Sequence, residues 1–169
     1  MRALISVSNK EGIAKFAARL KELGIEILAT EGTAKYLEEE GIKVRRVSEL
    51  TGLEESHQLK TLHPLVYEAI FSGEIGIVVV NLYPFEKEPC IDNIDIGGVA
   101  LLRAAAKNYK SCLAVSRPEQ YDEVVETLKK GVTEEFRLKL ACEAFEYVAA
   151  YDKAIAKWFC HQTRQQSEF

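Results

Sequence analysis

The chain has 169 residues, of which 47% are hydrophobic and 28% charged, and its net charge is −4. That length suits one α/β domain with its own core, and the balance is that of a folded chain rather than a disordered one. A net negative charge without a run of Lys or Arg excludes a surface that coats nucleic acid, and no apolar run reaches the length of a membrane span.

The chain opens on a short apolar run, Ala3-Leu-Ile-Ser-Val7, too brief for a signal peptide and predicting a buried strand. Ser8-Asn9-Lys10 bounds it, and Ile13, Phe16, Ala17 and Leu20 then recur at helical spacing until Gly24. Residues 25–29 predict a second strand, Thr30-Glu31-Gly32-Thr33 a turn, and 34–40 a short helix. Residues 42–47 alternate and predict a third strand near a sheet edge. A polar loop follows, and Gly76–Val80 is the most apolar strand. Asp95-Ile96-Gly97-Gly98 opens a helix through Leu101, Leu102, Ala105 and Ala106, and 111–115 make a last strand. Pro118–Lys130 reads as a helix, and Thr133 caps a long amphipathic helix to about Phe159. The expected organisation is one domain over 1–160 and an irregular tail over 161–169. Apolar strands alternating with helices predict a three-layer α/β fold, a parallel sheet covered by helices on both faces.

Cys90, Cys112, Cys142 and Cys160 contain no C-x-x-C pair. They are expected to stay reduced in core or helix positions, in a cytoplasmic protein without a metal site.

In open α/β sheets, ligands collect beyond the carboxyl ends of the strands. Four polar segments fall at such positions. Ser8 or Asn9 can cap the first helix, or, with Lys10, help hold an anion at free helix N–H groups. Thr30, Gly32 and Thr33 suit a phosphate or a plain turn, and Glu31 must then point away. Lys60-Thr61-Leu62-His63-Pro64 forms a rigid polar loop, in which His63 is as readily structural as catalytic. Asn81 and Tyr83 leave the most buried strand, while Asp95 precedes a glycine pair and can serve as a cap. Lys107 ends that helix, an ordinary place for a cation.

Taken in order, Ile5-Ser-Val-Ser-Asn-Lys10, Gly32-Thr-Ala-Lys35, Val47-Ser-Glu-Leu-Thr-Gly52, Lys60-Thr-Leu-His-Pro64, Asn81-Leu-Tyr-Pro-Phe85, Asp95-Ile-Gly-Gly98 and Arg103-Ala-Ala-Ala-Lys-Asn108 closely resemble the inosine monophosphate (IMP) cyclohydrolase domain of the bifunctional purine-biosynthesis enzymes that also carry a transformylase. Ala149-Ala-Tyr-Asp-Lys-Ala-Ile155 adds to the resemblance, which runs from Leu4 to about Phe159. It implies a methylglyoxal-synthase-like fold and ring closure of 5-formamidoimidazole-4-carboxamide ribotide to IMP and water, in de novo purine biosynthesis. It further implies no metal or organic cofactor and a homodimer, with a separate transformylase as a partner if the chain stands alone. By matched position it assigns catalysis to Lys60, Tyr83, Asp95 and Lys107. Ser8, Asn9, Lys10, Thr30, Gly32, Thr33, Gln58, Thr61, Asn81, Ile96 and Gly97 would surround the purine ribonucleotide, with Asn81 beside the base.

The match departs from the family at Glu31, where a glycine is usual. It departs again at His57-Gln58-Leu59, where an arginine is missing and Gln58 supplies only neutral hydrogen bonds. Geometry adds a tension: on one straight helix, Lys107 lies about 18 Å beyond the Asp95 end. The helix breaks near the glycines, or Lys107 acts indirectly or on a neighbouring subunit. Two readings compete on the same fold, a methylglyoxal synthase and a nucleotide-sensing regulatory module.

Overall fold

The structure is a computed structural model, and it describes residues 1–53 and 61–166. Five parallel strands form one sheet in the order β3-β2-β1-β4-β5: β1 (Arg2–Val7), β2 (Glu26–Ala29), β3 (Arg45–Arg46), β4 (Ile75–Asn81) and β5 (Leu113–Val115). Leu4 of β1 stands opposite Leu28 of β2 and Val78 of β4. Seven helices complete the described chain: α1 (Ile13–Glu22), α2 (Glu31–Glu39), α3 (Val47–Thr51), α4 (Pro64–Phe71), α5 (Gly97–Lys107), α6 (Tyr121–Lys130) and α7 (Glu134–Gln166).

Alternation along the strands divides the core in two, because successive side chains of a strand point to opposite faces. Ala3, Ile5, Ile27, Ile77, Val79, Leu113 and Val115 pack with α1, α2, α6 and the start of α7. Leu4, Leu28, Val78, Val80 and Ala114 pack with α4, α5 and the middle of α7. Both faces of the sheet are therefore covered, so its strands read as almost unbroken apolar runs; β4 is buried at all seven positions.

Several boundaries differ from the sequence expectation, each for a local reason. The third strand shrinks to Arg45–Arg46 because it lies at the sheet edge and pairs with β2 alone. Helices α3 and α4 occupy ground read as loop. Helix α4 has two turns, starts on Pro64, and buries only Val66, Ala69 and Ile70, too short a stripe for periodicity to separate. Helix α2 begins at Glu31, so the supposed turn at 30–33 is its N-cap and first turn. Neither Ser8 nor Asn9 caps α1, because Gly12, at φ 68°, holds the N-cap. Helix α7 runs on to Gln166 through residues expected to be irregular. Thr133 does cap that helix, its Oγ1 accepting from the Phe136 amide at 3.2 Å.

The sheet order places the site. From β1 the chain winds one way to β2 and β3, then crosses over to β4 and β5 on the other side. A crevice opens at that reversal, outside the carboxyl ends of β1 and β4.

Candidate active site

The crevice is a cleft of about 880 Å³, within the range of small-molecule sites. It gathers Ser8 and Lys10 after β1, Thr30, Gly32 and Thr33 at the start of α2, Thr61 ahead of α4, Asn81 and Tyr83 after β4, and Asp95, Ile96 and Gly97 at the start of α5. These residues come from five separate stretches of chain. Lys60 and Gln58 lie outside the described residues, as does His57.

One side of the cleft is built by hydroxyls and a lysine. Thr33 is buried, and its Oγ1 accepts from the Val7 amide at 3.2 Å and from the Lys10 ammonium at 3.3 Å. The same ammonium donates to the Val7 carbonyl. Thr30 Oγ1 donates to Ser6 Oγ at 3.2 Å. The ends of β1 and β2 are thus stitched together around the N-terminus of α2. There Gly32 is exposed, and nothing lies within 4 Å of where a Cβ would stand. Backbone N–H groups of a first helical turn, beside an ammonium and hydroxyls, match an anion such as a phosphate. Glu31 is turned out of the way: its carboxylate accepts from Arg46 Nε at 2.9 Å. Arg46 also grips Glu38 through two bonds of 2.7 and 2.8 Å.

Asn81 lines the cleft and also braces its wall. Its Oδ1 accepts from the Ser8 and Asn9 amides at 2.6 and 2.8 Å, and its Nδ2 donates to the Asn9 carbonyl at 2.8 Å. Three hydrogen bonds of its carboxamide hold the β1 loop, and Asn81 lines the cleft from there. Asn9 is turned aside, its Oδ1 accepting from the Glu11 amide at 3.0 Å, and it does not line the cleft. His63 caps α4, its Nδ1 accepting from the Leu65 amide at 3.3 Å.

The opposite side carries the acids. Asp95 Oδ1 accepts from the Gly98 amide at 2.7 Å, which fixes the carboxylate at the positive end of α5. The glycine pair has a steric reason. A Cβ on Gly98 would stand 2.8 and 2.9 Å from the Asp95 carboxylate oxygens and 3.0 Å from Leu82, and one on Gly97 would meet Thr61 Oγ1 at 2.5 Å. Tyr83 is 40% exposed and reaches the cleft from the β4 end.

Lys107 is not brought to this cleft. Helix α5 is one unbroken element whose other end carries the lysine, exposed, about 15 Å of helix away from Gly97. Ser6, Leu62, Ile91, Asp92 and Ile94 also line the cleft without having been singled out from sequence. Ser6 was legible as a hydroxyl at a strand end. The 91–94 segment carried no signal, because a three-residue 3-10 turn has no periodicity to read.

Helix α7 supports the acidic side from behind. The Tyr151 hydroxyl accepts from the Asp95 amide at 2.9 Å and donates to the Asn93 carbonyl at 2.7 Å. The Tyr147 hydroxyl accepts from the Leu82 amide at 3.1 Å. Burial pushes both phenols above their ordinary pKa of 10, so both stay protonated at neutral pH.

Among the described residues no three metal-ligating side chains converge, and no helix is long and apolar enough to cross a membrane.

Comparison with known proteins points one way. Residues 12–110 match the MGS-like domain family, and residues 105–169 match the AICARFT/IMPCHase bienzyme family. The bifunctional purine biosynthesis protein PurH of Aquifex aeolicus is 47% identical over 94% of this chain and 37% of its own length. PurH of Prochlorococcus marinus (strain MIT 9313) is 42% identical over 98% of this chain and 37% of its own. The chain therefore spans little more than a third of these relatives. A solved structure, the crystal structure of ForH, superposes with a TM-score of 0.84 at 34% identity, covering 94% of this chain and 98% of that one.

Proposed function

We propose a ring-closing function for this chain, which belongs to the MGS-like domain family and continues into the AICARFT/IMPCHase bienzyme family. The reaction is dehydrative closure of 5-formamidoimidazole-4-carboxamide ribotide to IMP, a step of purine biosynthesis. The observation that carries this reading is the polarity of the cleft. Lys10, Thr33 and the α2 N-terminus, a set suited to an anion, line the same cleft as Asp95 and Tyr83. A nucleoside monophosphate suits that polarity, with an anionic phosphate at one end and a neutral, hydrogen-bonding base at the other.

The chemistry asks little beyond placement and proton transfer. The carboxamide nitrogen attacks the formyl carbon; a C–N bond forms, the nitrogen gives up a proton and the formyl oxygen takes one. The carbinolamine then loses its hydroxyl with a second proton, as water. Asp95, at its fixed position, accepts the nitrogen proton, because an amide nitrogen is a poor nucleophile until that proton departs. Tyr83 and Lys60, the residue before Thr61 in sequence, supply protons to the oxygen as charge develops on it. The phosphate anchor holds both reacting groups of one molecule at attacking distance, which is where most of the acceleration arises. No contact with the nucleotide in this cleft is assigned to Lys107.

Ring closure is followed by purine absorbance. Asp95→Asn is expected to lower kcat by about a hundredfold or more while leaving IMP binding nearly intact. Tight nucleotide binding by the wild-type chain without turnover would instead favour a sensing module.

A further inference from the structure

Among the described residues none from the long helix α7 lines the cleft, yet two of its tyrosines touch the backbone of the segment that carries Tyr83 and Asp95. Tyr147 and Tyr151 are one helical turn apart and share a face. The first receives the amide of Leu82, the residue before Tyr83. The second is clamped between the Asn93 carbonyl and the Asp95 amide. Between these two points the chain makes a loop of irregular structure, with a 3-10 turn at Ile91–Asn93. The backbone bonds within this loop, such as Lys87 N–H to the Pro84 carbonyl and Ile94 N–H to the Ile91 carbonyl, span two to four residues each, and none of them ties its two ends together. The same helix face anchors the loop apolarly: buried Phe85 meets the rings of Tyr151 and Trp158 edge-on, with centroids 6.3 and 5.8 Å away.

We infer that Tyr151, assisted by Tyr147, is a positioning residue for the ring-closing chemistry, acting through the backbone of Asp95 and Leu82 rather than on substrate. Tyr151 fixes the Asp95 amide, and Gly98 fixes the Asp95 carboxylate, so the residue is held at both ends. Loss of the phenolic oxygen leaves the carboxylate capped but frees the peptide that carries it. Both tyrosines lie outside the 12–110 stretch shared with MGS-like domains and inside the 105–169 stretch. The helix that supplies them is thus the part of the chain that sets the geometry of an acid carried by the common fold. The inference rests on the proposed function only in its kinetic readout.

The test uses Tyr151→Phe, which keeps the ring against Phe85 and deletes both hydrogen bonds, and Tyr147→Phe as a second variant. Each is assayed with the formylated ribotide, with thermal unfolding measured alongside. For Tyr151→Phe, kcat is expected to fall about 10- to 100-fold, the scale of a small misplacement, while KM changes by less than about threefold because the phosphate anchor is untouched. A purely structural role would lower the unfolding temperature and leave kcat per folded molecule alone; that result overturns the inference. Backbone amide hydrogen exchange at Asp95 gives a readout that needs no turnover, with faster exchange in Tyr151→Phe expected and unchanged exchange contradicting the clamp. If the wild-type chain does not close the ring, the proposed function fails and the exchange experiment still decides the clamp. Should Tyr151→Phe not fold, Tyr147→Phe decides: a wild-type kcat and unaltered exchange at Leu82 overturn the inference, and a lowered kcat at unchanged KM supports it.

Discussion

Residue types at the cleft were legible in the sequence to different depths. Asp95 and the glycine pair stand where expected, and their spacing has a steric cause: a Cβ on Gly98 would press against the Asp95 carboxylate. Gly98→Ala is therefore expected to displace Asp95, lowering kcat by about tenfold or more, and to destabilise the fold by about 1–3 kcal/mol, the usual cost of overpacking. Turnover and thermal unfolding of the variant measure the two effects, and a fully active Gly98→Ala would show that Asp95 tolerates movement. Asn81 was legible as a polar group with a reason to be there, but not as a brace. Sequence cannot tell a side chain that reads a ligand from one that holds a neighbouring loop, because both need the same amide. The bonds from Ser8 and Asn9 show the holding part, which no sequence pattern announces.

At the scale of elements, the strands declared themselves because they are covered on both faces, and β4 is buried throughout. The helices declared themselves where the buried stripe was long, as with Ile13, Phe16, Ala17 and Leu20 of α1. Short α3 and α4 offered too few turns, and the role of α7 was hidden altogether. A tyrosine at a core position gives the same pattern whether or not its hydroxyl clamps a distant loop. The start of α2 shows another limit of local reading, since Thr30-Glu31-Gly32-Thr33 has the residues of a turn and is in fact a helix N-cap and first turn. With open space around Gly32 and φ outside the left-handed region, Gly32→Asp fits without backbone strain. It places a negative charge at the end of α2 that, on the proposed function, faces the phosphate. Calorimetry should find IMP bound at least about tenfold more weakly, from the lost favourable charge at a helix N-terminus and a new repulsion. Inosine, which lacks the phosphate, should bind as before. Equal losses for both ligands would move the phosphate elsewhere.

For the whole molecule, the order β3-β2-β1-β4-β5 accounts for where the cleft lies. Loops separated by more than 80 residues in sequence, at Ser8 and Asp95, meet because β1 and β4 are neighbours at the point where winding reverses. That convergence follows from the fold and not from any single motif, and only the ordered set of motifs in the sequence hinted at it. The same topology puts Lys107 out of reach at the far end of α5, so a position matched by resemblance did not share the cleft. The most direct test of the account follows the formyl carbon itself. With substrate labelled with carbon-13 at that atom and a small molar fraction of the chain, nuclear magnetic resonance should record the formyl signal turning into that of C2 of IMP over many turnovers. A formyl resonance that broadens on binding but never converts would contradict the account.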